Sequence, residues 1–416
     1  MLDITPKQAQ VRDHPGLSLL IIAPAGCGKT ETLALRVKGL LDRQAIEAPR
    51  RILVTTFTNR ARDNMHDRLR RYLTPREMRE AVTVCNFHGL SARIIQAHSN
   101  VIGLDPKTLT MPQSDWVGER CRALNLKGLS NNVKNDISTA KRQGLTDKEV
   151  LVELQRSGNQ YALMIEKQRQ GEGRLTYDDL PRLAELILAN DEVAALYQRH
   201  FGAIIVDEFQ DLTPQQLRIV QRIGYKKTTY AGDLAQGIYA FAGAQPEYVK
   251  RELETECSET IKFAESFRSS PAVLTAVNSL NSLTGGQTLT AANPDSWPSG
   301  GLAGILRFNN AHEEACYITQ LCQGILSYER APRQRIGISA RIKRRRQFVD
   351  EAFTGSGLPY CIWDNGVLDK SVAQKIRSML RGISLSEFHS ADNQLAFLRQ
   401  AVAFDNEQDP DERTAL

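Results

Sequence analysis

Short apolar runs alternate with amphipathic stretches through much of the chain. Four runs predict buried strands: LSLLII (17–22), RILVTTF (51–57), AIIVDE (203–208) and TTYAGD (228–233). The first three are each followed by apolar residues at helical spacing, and the third of these stretches opens with Thr213 and Pro214, a favourable cap and first turn. Strands that alternate with helices predict an α/β fold with a mostly parallel sheet covered on both faces.

The pattern changes twice along the chain. Between about residues 91 and 174 the sequence is polar and helical in tendency without a clear buried strand, which predicts a helical insertion. After about residue 260 a second set of alternating strands and helices is predicted, with AGILRF (303–308) and RIGISA (335–340) as strand candidates. We therefore predict a first α/β domain at 1–90 and 175–257, the insertion at 91–174, part of a second α/β domain at 258–370, and the start of another insertion or a tail at 371–416.

Composition narrows the class of protein only slightly. The 416 residues carry a formal net charge of +5, which permits nucleic-acid binding without requiring it. Apolar runs stay well short of the ~20 residues that span a bilayer, and the N-terminus lacks the pattern of a secretory signal, so we expect no membrane association. The seven cysteines form no CxxC pair, which suggests neither a zinc site nor a disulfide framework and favours the reducing cytoplasm.

The run IIAPAGCGKTETL (21–33) matches most of the phosphate-loop pattern G-x-x-x-x-G-K-[ST]. Ala23 replaces the first glycine, whereas Gly28, Lys29 and Thr30 fit the pattern. In such a loop, backbone N–H groups at a helix start face phosphate oxygens, the lysine reaches the outer phosphates, and the threonine hydroxyl binds Mg²⁺. A glycine turn that only caps a helix is the alternative interpretation, although the preceding strand and following helix favour the phosphate loop.

A second motif, which is acidic, supplies the carboxylates that a phosphate loop requires. In IIVDEFQD (204–211), Asp207 follows an apolar run, which would place its carboxylate at the end of a strand. We predict that Asp207 holds Mg²⁺ through water and that Glu208 is the base that orients and activates the attacking water. An ordinary acidic loop at a strand end is the alternative.

Eight segments, VDEFQD among them, resemble the motifs of UvrD/Rep-type superfamily 1 DNA helicases in the family's order. They are TPKQ, TFTNRARDNM, TVCNFHGLSARII, LTYDDL, VDEFQD, AGDLAQGIYAFAGA, ESFRSS and the long segment RIGISARIKRRRQFVDEAFTGSGLPYCIW. The resemblance covers nearly the whole chain. It implies a P-loop NTPase with two RecA-like parallel-sheet domains, a helical insertion in the first, and a second domain that is incomplete here.

The same resemblance assigns roles to residues. Gln8 would read adenine, Phe267 would stack on it, Gln236 would sense the γ-phosphate, and Arg268 would be an arginine finger. The expected catalytic set is Lys29, Glu208, Gln236 and Arg268. The expected ATP-binding set is Gln8, Ala25, Gly26, Cys27, Gly28, Lys29, Thr30, Phe267 and Arg268, with Thr30 and Asp207 as Mg²⁺ ligands. Single-stranded DNA would contact Phe57, Thr58, Asn59, His88, Tyr239 and Phe241, three of them aromatic residues able to stack on bases.

The sequence also departs from the family pattern. Ala242 stands where motif III of the family commonly has an arginine, and Glu31 stands where many relatives have a basic or neutral residue. No run before Leu416 resembles motif V or motif VI, which carries a second arginine finger. We expect either a truncated product or a second domain that is naturally degenerate.

Three functions compete. The first is an ATP-dependent helicase or translocase that moves 3′→5′ on single-stranded DNA, with the polarity implied by the family alone. The second is a nucleotide-dependent DNA-binding regulatory subunit of a nuclease complex in repair or anti-phage defence, with little unwinding activity. The third, a small-molecule kinase with the same loop, is disfavoured by the DEFQD motif, the length and the helical insertion.

Overall fold

The computed structural model describes residues 4–126, 128–238, 243–327, 336–360 and 362. Its contacts divide the chain into two compact units, Met1–Ala303 and Gly304–Leu416, which are described separately below. The predictions for Tyr239, Phe241, Ala242 and the segment 371–416 lie outside the described residues.

A six-stranded parallel sheet forms the centre of the first unit. Its strands are β1 Leu19–Ile22, β2 Arg51–Thr56, β3 Val82–Asn86, β4 Phe201–Asp207, β5 Thr228–Gly232 and β6 Thr260–Lys262, in the order β3-β2-β4-β5-β1-β6. All seven residues of β4 are buried, as expected for a strand covered on both faces. The four strand predictions and the α/β fold with a parallel sheet are therefore confirmed.

Helices cover both faces of this sheet and also build the insertion. They are α1 Pro6–Asp13, α2 Lys29–Asp42, α3 Asn59–Leu69, α4 Pro75–Glu80, α5 Phe87–His98, α6 Trp116–Ala123, α7 Ser130–Lys141, α8 Asp147–Arg156, α9 Gln160–Gly171, α10 Asp179–Leu188, α11 Asp191–His200, α12 Pro214–Gly224, α13 Pro246–Glu256, α14 Pro271–Asn278 and α15 Asn281–Thr284. As predicted, α12 begins after Thr213, whose side chain accepts from the backbone N–H of Gln216 in a capping box.

Alternate residues of each strand enter two different cores. Leu20, Leu53 and Ile204 pack with α5, α10, α12 and α13 on one face. Ile21, Val54 and Ile205 pack with α1, α2 and α3 on the other. This period of two follows from the geometry of a strand, and it fixes which ends of the strands meet at one edge of the sheet.

The insertion has its own small core and is joined to the sheet domain by buried charges. Helices α6 to α9 enclose Val133, Ile137, Val150, Leu154 and Ile165. Where α7 and α9 approach the start of α10, three cations meet three carboxylates: Lys141, Arg169, Arg182, Asp147, Glu166 and Asp179. Lys141 Nζ lies 2.8 Å from Asp179 Oδ2 and 3.0 Å from Glu166 Oε2, with all three side chains fully buried. We call these six residues the insertion ion cluster.

Two strand predictions after residue 300 are wrong. The structure assigns no strand to residues 303–308 or 336–340, and Leu302 and Ile305 are 93% and 94% exposed. Apolar residues form a strand only where a neighbouring strand completes their hydrogen bonds, and the described residues provide none there. Two short strands do form earlier, β7 Glu265–Ser266 and β8 Thr290–Ala291, which pair in parallel.

The second unit is helical in its described part. Helices α16 Ala311–Leu326 and α17 Lys343–Ser356 pack together, with Arg345 paired to Glu314 and the His312 ring edge-on to Phe348. Our domain boundaries stay predictions, and the structure adds that β6 belongs to the first sheet although it follows residue 257. No helix among the described residues is long and apolar enough to cross a membrane.

Candidate functional site

The predicted phosphate loop connects β1 to α2. Gly26 and Gly28 have φ of +82° and +76°, a backbone region that side chains with a Cβ rarely adopt. The loop is fixed at its start by a 2.9 Å hydrogen bond from Ala23 N to Gly232 O of β5. Ala23 is completely buried, so its methyl group fits where the phosphate-loop pattern has glycine.

Free backbone donors line this loop. Within the described part of the chain, the N–H groups of Gly26, Gly28, Lys29 and Thr30 donate to no acceptor. Donors at a helix start, together with the helix dipole, form a site for an anion such as a phosphate group. The loop therefore fits the triphosphate that the sequence predicts.

Lys29 contacts the acidic end of β4. Its Nζ donates to Glu208 and lies 3.9 Å from Asp207 Oδ1. The parallel sheet brings the ends of β1 and β4 to one edge, with β5 between them, which explains how residues 178 positions apart come together. Glu208 has φ of +59°, a left-handed conformation that is strained for a residue with a side chain and is common at functional sites.

Carboxylates outnumber cations at this edge. Burial raises the pKa of Asp207 to about 6, with Lys29 lowering it and Glu208 raising it further. Burial, followed by the charge of Glu208, raises the pKa of Asp211 to about 7. Asp211 Oδ1 is buried without a hydrogen-bond partner in the described residues. One lysine thus faces three carboxylates, a surplus of negative charge that a divalent cation would offset; oxygen ligands from Asp207 and Thr30 suit Mg²⁺.

A chain of side-chain hydrogen bonds joins β4 to the end of β5. Gln210 Nε2 donates to Glu208 Oε2 at 2.8 Å, and Gln210 Oε1 accepts from the Asp233 backbone N–H at 3.0 Å. Gln236 Nε2 then donates to Asp233 Oδ2 at 2.8 Å. Sequence reasoning gave no role to Gln210 or Asp233, although both lie within the motifs it quoted.

The segment at β7 lies directly on the phosphate loop. Phe267 N donates to Gly26 O at 2.9 Å, and a Cβ built at Gly26 would lie 2.6 Å from Ser266 Oγ and 2.8 Å from Arg268 Cβ. The Phe267 side chain is 49% exposed, which leaves its ring accessible for stacking. The structure therefore brings two predicted ATP-binding residues to the loop, and Ser266, which we had not singled out, fills the space beside Gly26.

The predicted adenine reader also lies beside the loop. Gln8 is buried in α1, where its Oε1 accepts from Thr5 N at 3.0 Å, and its Nε2 is 3.1 Å from the position a Cβ would take at Gly28. Arg36 of α2 fixes the connection from α1 to β1 by donating to the carbonyls of Val11 and His14 at 3.3 and 2.6 Å. Burial lowers the pKa of Arg36 to about 10.

Glu31 is engaged away from the loop. Its carboxylate accepts from Arg68 and Tyr72 of the neighbouring α3 region. Burial, followed by the hydrogen bond to Glu31, raises the pKa of Tyr72 to about 12. The acidic residue that departs from the family pattern therefore stabilises the packing of α2 on α3.

The described residues predicted to bind DNA lie at the ends of β2 and β3. Thr58 and Asn59 are exposed, Phe57 is half-buried, and Asn59 Oδ1 accepts from Asn86 Nδ2 at 2.8 Å. His88, in the first turn of α5, lies 5.4 Å from the Tyr177 ring, and burial lowers its pKa. A cavity of about 340 Å³ opens beside Tyr177, lined also by Trp116, Lys134 and Ser138 of the insertion.

Comparison with known proteins identifies one family and several DNA helicases that this chain resembles. The family described as UvrD/REP helicase N-terminal domain matches residues 4–255. The ATP-dependent DNA helicase UvrD1 of Mycobacterium tuberculosis is 25% identical over 383 residues, which cover 86% of this chain and 49% of that protein. The ATP-dependent DNA helicase PcrA of Staphylococcus aureus is 26% identical over 394 residues, 88% of this chain and 52% of that protein. The chain thus spans about half the length of these curated relatives.

Proposed function

Because the chain belongs to the UvrD/Rep helicase family, we propose that it binds ATP and Mg²⁺ and couples ATP hydrolysis to 3′→5′ movement on single-stranded DNA. One observation carries the proposal: Lys29 lies between the free N–H groups of the phosphate loop and the carboxylates of Asp207 and Glu208. The location in the cytoplasm, suggested by the cysteine pattern, is part of the same proposal.

The residues at this edge divide the chemistry between them. The loop N–H groups and Lys29 bind the phosphates, and Lys29 then exchanges its contact with Glu208 for phosphate oxygen. Glu208, released from Lys29 and still held by Gln210, is free to accept a proton from water. Mg²⁺ held by Thr30 and Asp207 would neutralise charge on the phosphates. Gln236, joined to Glu208 through Gln210 and Asp233, responds to the same site.

Movement on DNA requires that ATP hydrolysis at Lys29, Asp207 and Glu208 is coupled to the residues that bind DNA. Phe57–Asn59 and His88 follow β2 and β3, strands of the same parallel sheet as β4, and the segment after β5 contains the predicted aromatics Tyr239 and Phe241. Gln210 and Asp233 connect the hydrolytic residues to that segment. This continuity supports DNA stimulation of hydrolysis.

The test is ATP hydrolysis by the chain with and without oligo(dT). We expect DNA to accelerate hydrolysis, and Lys29→Ala to reduce the rate by about 10²–10³-fold because it removes a charged group at the phosphates. Lys38→Ala, on the same helix but paired with Asp42 and Glu77, is the matched control and should keep the rate. A hydrolysis rate indifferent to DNA would refute the proposal.

A second candidate is a nucleotide-dependent DNA-binding subunit of a nuclease complex. It is favoured by Ala242, which removes an arginine expected near the DNA. Strand-displacement measurements on duplexes with a 3′ or a 5′ single-stranded tail separate the two candidates and test the direction. Unwinding of the 3′-tailed duplex by the isolated chain would exclude the subunit role, whereas ATP-dependent binding without unwinding would support it.

A further inference from the structure

An arginine of the insertion lies against Gly243, the second-last residue of motif III. Arg142 follows α7, and a Cβ built at Gly243 would lie 2.7 Å from Arg142 Cζ, 2.8 Å from Nε and 2.9 Å from Nη1. Gly243 has φ of +93°, a backbone conformation that favours glycine, and the guanidinium occupies the space beside its Cα. The guanidinium group therefore packs directly on the motif III backbone.

Among the residues that the structure describes, the guanidinium donors of Arg142 have no acceptor. Among the described residues its side chain forms no hydrogen bond or ion pair, although it is half-buried. The neighbouring cations behave differently, since Lys141, Arg169 and Arg182 are each paired with carboxylates. Partly buried guanidinium groups normally find acceptors, so these donors are available for an external anion.

The backbone of Arg142 is held firmly in place. Its neighbour Lys141 is fixed by Asp179 and Glu166, and Lys141 O accepts from Gln215 Nε2 of α12 at 3.1 Å. The N–H of Arg142 donates to Ser138 O within the last turn of α7. A cation at a helix C-terminus also faces the negative end of the helix dipole. The fold thus directs one unpaired guanidinium at motif III.

We propose that Arg142 binds a backbone phosphate of the single-stranded DNA and so restores a guanidinium to motif III from outside the motif. Gly243 lies two residues after Phe241 and four after Tyr239, the predicted stacking residues, and Ala242 leaves this segment without an arginine of its own. A planar fork of donors suits a phosphate group, and a strand stacked on the aromatics carries one phosphate per base. The inference rests on the proposed DNA binding.

The experiment measures the affinity for fluorescently labelled oligo(dT) by anisotropy at increasing salt concentration. Loss of one phosphate contact should lower the magnitude of the slope of log K against log[salt] by about 0.7. We expect Arg142→Gln to show this change and to weaken binding by about 5- to 20-fold. Arg142→Lys keeps the charge and should keep the slope while binding less tightly than the unsubstituted chain.

Two controls separate this contact from folding and from general charge. Arg156→Gln removes the same charge from an exposed side chain of the insertion, 75% exposed and 3.6 Å from Glu153, and should leave the slope unchanged. ATP affinity, measured by calorimetry, should be equal in all variants. An unchanged slope in Arg142→Gln, or weakened ATP binding in place of DNA binding, would overturn the assignment. Failure of the unsubstituted chain to bind oligo(dT) would overturn both this inference and the proposed function.

Discussion

Two groups of buried charged side chains lie in the first unit, and they differ in the ratio of cations to carboxylates. The insertion ion cluster joins three cations to three carboxylates, and Lys141 and Asp179 are fully buried. The edge of the sheet sets Lys29 against Asp207, Glu208 and Asp211. Burial alone would raise the pKa of Asp179, but Lys141, Arg169 and Arg182 hold it well below its usual value, whereas the pKa values of Asp207 and Asp211 are raised.

This difference in charge balance separates a structural role from the functional role that we propose. The balanced cluster places each charge beside an opposite charge and joins the insertion to α10. Lys141 O also accepts from Gln215 of α12. The unbalanced cluster has more negative than positive charge, and it lies next to backbone N–H groups that can donate to an anion. Both clusters contain buried charges, so burial does not tell them apart. Only the cluster around Lys29 has a surplus of carboxylates and a residue, Glu208, in a strained backbone conformation.

The largest expected effect breaks the chemistry of the unbalanced cluster. Glu208→Gln keeps the size of the side chain but removes the base, so DNA-stimulated ATP hydrolysis should fall by about 10²–10⁴-fold. Calorimetry should still show ATP binding, since the loop N–H groups and Lys29 remain. Hydrolysis at the unsubstituted rate would show that Glu208 is not the base.

Breaking the balanced cluster should affect folding. Lys141→Met leaves Asp179 and Glu166 buried without this cation, and the free energy of unfolding should fall by about 3–5 kcal/mol. Urea denaturation measures this loss. Lys134→Met, at a partly exposed position of the same helix that is paired with Asp115, is the control and should cost no more than about 1 kcal/mol. Equal losses in the two variants would contradict the structural role.

The two clusters should respond to pH with opposite sign. Asp211 holds its proton up to about pH 7 in the folded chain but only to about 3.8 when unfolded, so folding stability declines as pH rises across that interval. Asp179 stabilises the fold above about pH 3.8, and this contribution is lost as pH falls further.

Substitution isolates the contribution of Asp211. Asp211→Asn should reduce the decline to the part that Asp207 causes, since the pKa of Asp207 is also raised, to about 6. It should raise the free energy of unfolding at pH 8 by about 1–3 kcal/mol, since it replaces a buried carboxylate that lacks a hydrogen-bond partner for Oδ1. Urea denaturation at pH 5 and pH 8 without magnesium or nucleotide measures the change. A variant that keeps the slope of the unsubstituted chain would place the titration elsewhere.

The smallest effect tests how far the functional cluster extends. Phe267→Ala removes an exposed ring beside the loop and should weaken ATP binding by about 3- to 10-fold, the value of one aromatic stacking contact. Phe267→Tyr keeps the ring and should bind ATP as the unsubstituted chain does. Calorimetric titration with ATP compares the three proteins, and equal affinity in all of them would separate Phe267 from the nucleotide.

The sequence predicted the centre of the sheet because buried parallel strands are continuous apolar runs, as in β4. It missed β3, where only two of five residues are buried, and β6, which has three residues. It over-interpreted AGILRF (303–308), since an apolar run carries no information on whether a partner strand exists.

The sequence predicted the candidate-site residues that lie at or after the ends of predicted strands. Lys29, Asp207 and Glu208 each end or follow a predicted strand, so a parallel sheet brings them together. Gln210 was not predicted because its role depends on the side-chain direction toward Asp233. Arg142 was invisible for a stronger reason: its contact with Gly243 joins positions about a hundred residues apart through the packing of the insertion.

The link between Phe267 N and Gly26 O uses backbone atoms on both sides. Nineteen of the twenty amino acids have a backbone N–H that can act as this donor at position 267, so changes of the side chain leave the hydrogen bond in place. Proline alone would delete it. Substitutions of Phe267 other than proline should therefore keep the backbone hydrogen bond between position 267 and the phosphate loop.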